Sequence, residues 1–351
     1  MWMPLCRLMS KHVMHPIDLI ISKTPFRISL GGGGTDLPFY YEKEGGFVIS
    51  SAIQKFMYVL VARRVHPNIL LSYSKSELCE NVEDVKHEII RECLKCTGLT
   101  DHLVVLSHAE LGSEYGLGSS GSFTVGLLNS LFKYNQKDIT NNELGSLACH
   151  VNMDILKQPS GKQDEHIAAF GSMMSFEIKK DGNVIAKPLA ISSETRQTLQ
   201  NNLLFFHTNI TRSAAEVLQN QHENSLRDPE VFEHLNKIKE IGLKTKKYFE
   251  NGNVDEFGLL MDEHWHEKRK TSEKISNQII DKQYERAKNL GALGGKIIGA
   301  GGGGLFMFYV NNDESKNNIR KEFNSSGMNE IILPFEETGS NIILNLLHGS
   351  Q

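Results

Sequence analysis

The sequence predicts an α+β fold in two domains, on three observations. Strand-like and helix-like stretches mix through the first half, helices dominate the second, and 351 residues suffice for a sizeable core in each of two units. Ile20 to Leu30 reads as the first strand and runs into Gly31-Gly32-Gly33-Gly34. Phe47 to Ser51, Met57 to Arg63 and Ile69 to Tyr73 read as further strands, and Val82 to Thr97 as a helix. Leu103 to Leu106 is a short apolar stretch before a second glycine-rich run, Gly116 to Gly121. Ser119 to Tyr134 is helix-like, because Phe123, Leu127, Leu128 and Leu131 recur at helical spacing. Asn142 to Leu156 is a second helical stretch, with no strand between. Met173 to Ile178 and Val184 to Leu189 flank Asp181-Gly182, a hairpin signal. A boundary near Ser192 to Gln200 gives units of 20–195 and 196–351. Asn202 to Phe206 then reads as a strand, followed by helices near Ser213–Ser225, Pro229–Asn251, Val254–Lys270 and Ser276–Leu290. Leu305 to Val310 and Ile331 to Pro334 read as strands, with a helix between them.

The middle glycine run carries the first functional hint. Glycine lets backbone N–H groups approach a phosphate, and a helix that starts just after it adds the positive end of its dipole. A tight loop with a helix cap is the plain alternative. Gly116 to Gly121 spells G-x-G-x-x-G, but a dinucleotide site needs a following strand with an acidic end, and a helix follows instead. Gly121 is followed by Ser122 and Phe123, so the lysine of a P-loop is absent.

Composition narrows the class. The chain is 40% hydrophobic and 23% charged with a formal charge of −4, which offers no field for nucleic acid or an anionic membrane. No apolar run reaches membrane-spanning length. Residues 1–19 contain Pro4, Arg7, Lys11, His12, His15 and Pro16, which interrupt any signal-peptide core. They are expected to form a disordered arm, with Met9 and Met14 as alternative starts. The five cysteines, Cys6, Cys79, Cys93, Cys96 and Cys149, are odd in number and read as free thiols of a reducing cytoplasm. Cys93 and Cys96 form a lone C-x-x-C, too little for a zinc site.

Three segments together say more than the loop. They are Thr24-Pro25-Phe26-Arg27-Ile28-Ser29-Leu30-Gly31 running to Gly34-Thr35-Asp36, the Gly116–Ser122 loop, and Lys296-Ile297-Ile298-Gly299-Ala300-Gly301-Gly302-Gly303-Gly304. Their order resembles the three motifs of the GHMP kinase superfamily, and Gln158 to Asp164 looks like its catalytic-aspartate loop. The resemblance covers nearly everything after Ile20. It implies an N-terminal domain like ribosomal protein S5 domain two, a ferredoxin-like C-terminal domain, and phosphoryl transfer from ATP with Mg²⁺.

By that resemblance, Gly116, Leu117, Gly118, Ser119, Ser120 and Gly121 hold the nucleotide phosphates, and Ser120 is a Mg²⁺ ligand; an N-cap is the alternative role for Ser119 or Ser120. Asp164 accepts the acceptor's proton and Arg27 stabilises charge on the transferred group, against the plainer readings of a surface charge and a structural ion pair. Thr35 and Asp36 match the sugar-binding segment, and Gly301 and Gly302 let the second domain's backbone approach the site. Many relatives carry a Mg²⁺-binding glutamate seven residues before the loop proline, where this chain has Asn152, a weaker oxygen donor. Several details look most like heptose 7-phosphate kinases, sugar 1-kinases on the route to GDP-heptose. An acceptor that already carries phosphate needs cationic or N–H donors, and Arg212, Lys268 and Arg269 are the candidates, with a solvated helix face as the alternative. His264 and Trp265 read either as part of a ligand pocket or as a packing corner. A kinase of another sugar (fucose, galactose or a uronic acid) and a non-catalytic sugar and nucleotide sensor remain open. The partners expected are a small sugar phosphate and ATP, with no nucleic acid and no membrane; a homodimer is compatible with the chain.

Overall fold

A computed structural model describes residues 18–347. Residues 1–17 of the expected arm therefore lie outside the described residues, while Asp18 is described and Leu19 already belongs to the first strand. Strands and helices are numbered in chain order. β1 (Leu19–Gly31) and β2 (Gly46–Arg63) pair antiparallel along most of their length. Their register slips after Pro25 and again before Gly31. Proline has no N–H to give the ladder, which suits a bulge. The sequence suggests two strands where β2 is one, because Gln54 and Lys55 interrupt the apolar run. There the strand changes partner. Its first part pairs with β6 (Met173–Ile178) and its second with β5 (Leu103–Ala109).

The first sheet also contains β3 (Ile69–Ser72), β4 (Ser76–Cys79), β7 (Val184–Pro188) and β11 (Asn341–Asn345). Its main path runs β11-β1-β2-β5-β3-β4, with β6 and β7 extending from β2. The expected Val82–Thr97 helix splits into a 3₁₀ turn, Val82–Asp84, and α2 (Glu88–Thr97). α3 (Ser119–Tyr134) has the expected bounds and packs on β1 and β2. α4 (Asn141–Cys149) continues into a π-helical turn, His150–Ile155, and both precede α5 (Gln163–Phe170). The short α1 (Pro38–Glu44) starts at a proline straight after the first glycine loop.

The second unit begins with α6 (Ser193–Asn202) and β8 (Leu203–His207). α7 (Ala214–Arg227), α8 (Glu230–Glu250), α9 (Val254–Arg269) and α10 (Gln278–Asn289) follow the expected helical run. β9 (Gly294–Ile297), β10 (Leu305–Tyr309) and α11 (Asp313–Ser325) complete it, with β10 central in a three-stranded antiparallel sheet. Ile331 to Pro334 forms no strand: Ile331 N–H bonds Phe205 O, but the segment soon turns away to bridge Phe335 to Ile53 on β2. The chain then returns to the first sheet, where β11 pairs with β1. The division at residue 196 is thus not the whole organisation, since the last strand belongs with the first unit.

The two units share a hydrophobic core. One buried cluster contains Phe26, Ile49 and Leu128 of the first unit with Phe257, Met307 and Tyr309 of the second. Contact between backbones adds to it. A Cβ on Gly31 would sit 3.1 Å from the Gly242 Cα, and one on Gly242 would sit 3.1 Å from the Gly32 Cα. Helix α8 therefore lies directly against the first glycine loop, with no side chain between. Backbone cannot rotate away as a side chain can, so added bulk must open the joint. Gly242→Val is expected to destabilise the protein by about 2–3 kcal/mol, read as a lowered urea midpoint. An unchanged midpoint would show that this contact is not a tight joint.

Candidate active site

The chemistry-bearing loops meet around one side chain on β1. Arg27 is 5% exposed, and its Nε and Nη2 donate to Asp164 Oδ1 and Oδ2, each at 2.7 Å. Its Nη1 donates to the Gly116 carbonyl at 2.8 Å, and its backbone N–H to the Leu117 carbonyl at 3.1 Å. Two parallel charge-assisted bonds fix both distance and plane. Asp164 stands in the first turn of α5, where a carboxylate is favoured by the helix dipole.

The N-terminus of α3 faces the same point. Gly118 is its N-cap residue, at φ 77°, and no side chain caps the helix. Ser119 and Ser120 therefore do not serve as caps, and the Ser120 hydroxyl is exposed. The first intrahelical bond is Ser122 N–H to Gly118 O, so the N–H groups of Ser119, Ser120 and Gly121 remain open to an anion. Glycine at 118 accepts the left-handed backbone, and a Cβ there would lie 3.0 Å from Asp164 Oδ2. A Cβ on Gly121 would lie 2.8 Å from the Asp164 Cβ. The phosphate-cradle geometry and the aspartate are thus pressed together.

The second unit reaches the loop through backbone and one arginine. A Cβ on Gly299 would lie 2.7 Å from the Gly116 carbonyl oxygen. Arg212 donates from Nε to Gly301 O at 2.5 Å, while its Nη2 is buried without a partner, 3.2 Å from where a Gly116 side chain would begin. Arg212 stands over the glycine loop and does not line the neighbouring cavity. Gly301 and Gly302 pack on Lys274 and Ile275, and it is Gly299 and Ala300 that face the cavity. Arg269 turns away to Asp281 and His266.

That cavity lies between the first glycine loop, residues 160–164, and side chains of α7 and α9. Asp36 is 6% exposed and accepts from Gly34 N–H and Gln163 N–H, both at 3.1 Å. Burial, then the nearby Asp164 charge, raises its pKa above the ordinary carboxylate value. Thr35 has a different place from the one its motif suggests. Its hydroxyl lies within bonding distance of Gly32 O, Phe47 O and Phe47 N, and so pins the glycine loop to β2. Ser29 Oγ, Ser160 Oγ and Gln163 Oε1 are buried, unpartnered, and belong to residues that line the cavity. Lys268 donates from Nζ to Gly299 O at 2.5 Å, and burial, then Arg212 and Arg27, push its pKa down to about 7. Lys296 and His264 stand beside it. Sequence reasoning left Lys296 and Gln163 out of the site, although Lys296 heads one quoted motif and Gln163 lies inside another, directly before Asp164.

Mg²⁺ needs oxygen donors, of which the Ser120 hydroxyl is open. Asn152 is 1% exposed and committed elsewhere: its Oδ1 accepts from Thr124 Oγ1 at 3.1 Å and its Nδ2 donates to Glu165 Oε1 at 2.8 Å. Asn152, for which a metal role is expected, stands in an internal network here, because the π-helical turn carries it into the interior beside Glu165.

Comparison with known proteins gives the family. Residues 77–172 match the GHMP kinases N terminal domain and residues 245–329 match GHMP kinases C terminal. The chain is 27% identical over 316 residues to D-glycero-alpha-D-manno-heptose 7-phosphate kinase of Campylobacter jejuni, covering 86% of this chain and 92% of that protein. It is 24% identical over 339 residues to galactokinase of Pyrococcus furiosus, covering 85% and 90%. Its fold matches a D-glycero-D-manno-heptose 1-phosphate kinase from Bacteroides thetaiotaomicron with a TM-score of 0.77 at 21% identity, covering 92% and 98%.

Glu165 gives the site a stability signature. It is 2% exposed, and burial, then Asp164, pushes its pKa up from 4.5 to about 7. Between those values the native protein keeps a proton that the unfolded chain has released, so stability falls as pH rises through that window. Above it the loss is complete and the curve flattens. Glu165→Gln keeps an acceptor for Asn152 and is expected to remove this fall, giving a higher urea midpoint than wild type at pH values above the window. Parallel pH profiles for the two proteins would reject a protonated Glu165.

Proposed function

The chain belongs to the GHMP kinases, ATP-dependent phosphotransferases with an alcohol acceptor, and from that premise we propose that it phosphorylates the anomeric hydroxyl of D-glycero-D-manno-heptose 7-phosphate. The product is the 1,7-bisphosphate, used toward GDP-heptose for surface glycan synthesis, and the reaction is placed in the cytoplasm. Among the described residues no helix is long and apolar enough to cross a membrane. The likeness to sugar kinases extends across most of the chain and is greatest, among the relatives reported, for the heptose 7-phosphate kinase.

The observation that carries the proposal is the make-up of the cavity beside Asp164. Unpartnered buried oxygens of Ser29, Ser160 and Gln163 suit a ligand with several hydroxyls, and Asp36 offers further acceptors. The cationic side chains of Lys268 and Lys296 suit an acceptor that already bears phosphate. Asp164 is assigned the proton of the reacting hydroxyl. Its side chain keeps 31% exposure while Arg27 holds its plane. Arg27 and Arg212 are assigned to the charge of the phosphoryl group in transit, and the open N–H groups of Ser119 to Gly121 to the nucleotide phosphates. The Ser120 hydroxyl is the open protein donor that would hold Mg²⁺, an ion that would supply neutralisation of phosphate charge.

A second reading, a kinase of an unphosphorylated sugar, is favoured by the likeness to galactokinase at nearly the same coverage. An ADP-release assay with Mg-ATP against D-glycero-D-manno-heptose 7-phosphate, galactose, fucose, glucuronate and mevalonate separates the two. Turnover confined to the heptose phosphate is expected. Turnover with a free sugar alone would keep the kinase and remove the phosphorylated acceptor. Asp164→Asn is expected to lower kcat by about 10²–10⁴-fold while nucleotide affinity stays largely unchanged. Full turnover by that variant would withdraw the proton-acceptor assignment.

A further inference from the structure

Lys296 is the basic side chain the fold has least reason to bury. It is 2% exposed on β9, lines the cavity beside Asp164, and takes part in no ion pair among the described residues. Among the described residues, the one hydrogen-bonding contact of its side chain is the Nδ1 of His264, at 3.5 Å, the outer limit of a hydrogen bond. His264 is itself 2% exposed, and burial first, then Lys296 and Lys268, lower its pKa well below the ordinary imidazole value. It supplies no counter-charge.

The surroundings make the imbalance larger. Lys268 approaches from α9 and has a carbonyl, Gly299 O, as its partner. Arg27 lies close enough to oppose both ammonium groups, and its own carboxylate partner, Asp164, is already used in two bonds. Asp36 is the remaining carboxylate among the residues lining this cavity; its two oxygens accept backbone N–H bonds and its charge favours protonated Lys268, against the larger effects of burial, Arg212 and Arg27. A buried lysine without an anion loses several kcal/mol of solvation. A fold keeps such an arrangement when the missing charge arrives with the ligand.

We infer that Lys296 and Lys268 form an anion subsite in the cavity wall, with His264 orienting Lys296, and that it takes a phosphoryl group. Two sources supply that chemistry: the phosphate an acceptor already carries, and the phosphoryl group in transit from ATP. The geometry favours the acceptor's phosphate. Both lysines line the cavity with Asp36, Ser160 and Gln163, whereas Arg212 stands over the glycine loop outside it. This assignment deepens the proposal of a sugar-phosphate acceptor and rests on it. The presence of an anion subsite does not.

The test uses the full-length protein and its Lys296→Met and Lys268→Met variants. Methionine keeps an apolar stem and removes a buried amine that lacks an anionic partner, so the Lys296 variant is expected to fold at least as stably as wild type. The first measurement needs no substrate. Titration with inorganic phosphate alone, followed by calorimetry and thermal shift, is expected to detect binding to wild type and its loss in Lys296→Met. Equal phosphate binding by wild type and both variants would overturn the subsite, and would leave the kinase proposal untouched.

The second measurement identifies the source. It compares D-glycero-D-manno-heptose 7-phosphate with the unphosphorylated heptose. If the subsite holds the acceptor's phosphate, Lys296→Met raises KM for the heptose phosphate by about 30- to 300-fold, and its preference over the free sugar collapses. If it holds the group in transit, kcat falls for both acceptors and the preference survives, which overturns the acceptor-phosphate assignment. A wild type that ignores heptose phosphates but binds inorganic phosphate through Lys296 would defeat the acceptor proposal and retain the subsite.

Discussion

The ion pair between Arg27 and Asp164 is the contact on which the site depends. A single guanidinium uses Nε and Nη2 on the carboxylate and Nη1 on the Gly116 carbonyl. It thereby fixes β1, the start of α5 and the glycine loop before α3 in one frame. The pair is short and planar, and the arginine is nearly buried, so it differs from a surface ion pair of small worth. Truncating either partner would leave a mostly buried charge or an open carbonyl, and three loops would lose their common reference.

Glycines make the rest of that frame possible by removing side chains where backbones must touch. Gly118 and Gly121 let the start of α3 lie against Asp164, and Gly299 lets the second unit touch Gly116. Gly31 and Gly242 do the same at the base of the first glycine loop. The division between units therefore passes through the site while the shared hydrophobic cluster crosses it elsewhere. Such a joint favours a preorganised site, whose N–H donors and basic side chains are held in place before any ligand arrives.

Much of this was legible in the sequence, and the gaps have physical causes. α3 and the run α7 to α10 were readable because apolar residues recur at helical spacing over several turns. The long β2 was read as two strands because polar Gln54 and Lys55 fall where it exchanges one neighbour for another, a tertiary event with no local signal. β11 alternates exposed and half-buried positions at the sheet edge and was missed. The resemblance brought Arg27, Asp164 and the glycine loops to notice, and the structure puts them in contact. It could not show that Thr35 is consumed by backbone bonds, or that Asn152 is drawn to Glu165, since both depend on residues far away in the chain. Lys296 looked like the polar start of a glycine motif. Only its burial without an anion sets it apart.

Charge balance ties these features together. Burial raises the pKa of Asp36 and Glu165, and lowers those of Lys268 and Lys296. Both signs are therefore held in an environment that disfavours their charged forms. Hydrophobic residues of similar volume would make a more stable core. The groups that resist this simplification are the ones gathered around Asp164, where a nucleotide's phosphates and an acceptor would converge. Under the proposed function, an incoming phosphate would neutralise the lysines and the arginines, and an acceptor's hydroxyls would satisfy the open oxygens of Ser29, Ser160 and Gln163. The same ligand would then meet both deficits and link binding to stability. A cavity completed only by a polyhydroxylated phosphate discriminates against ligands that bring one half of that chemistry without the other.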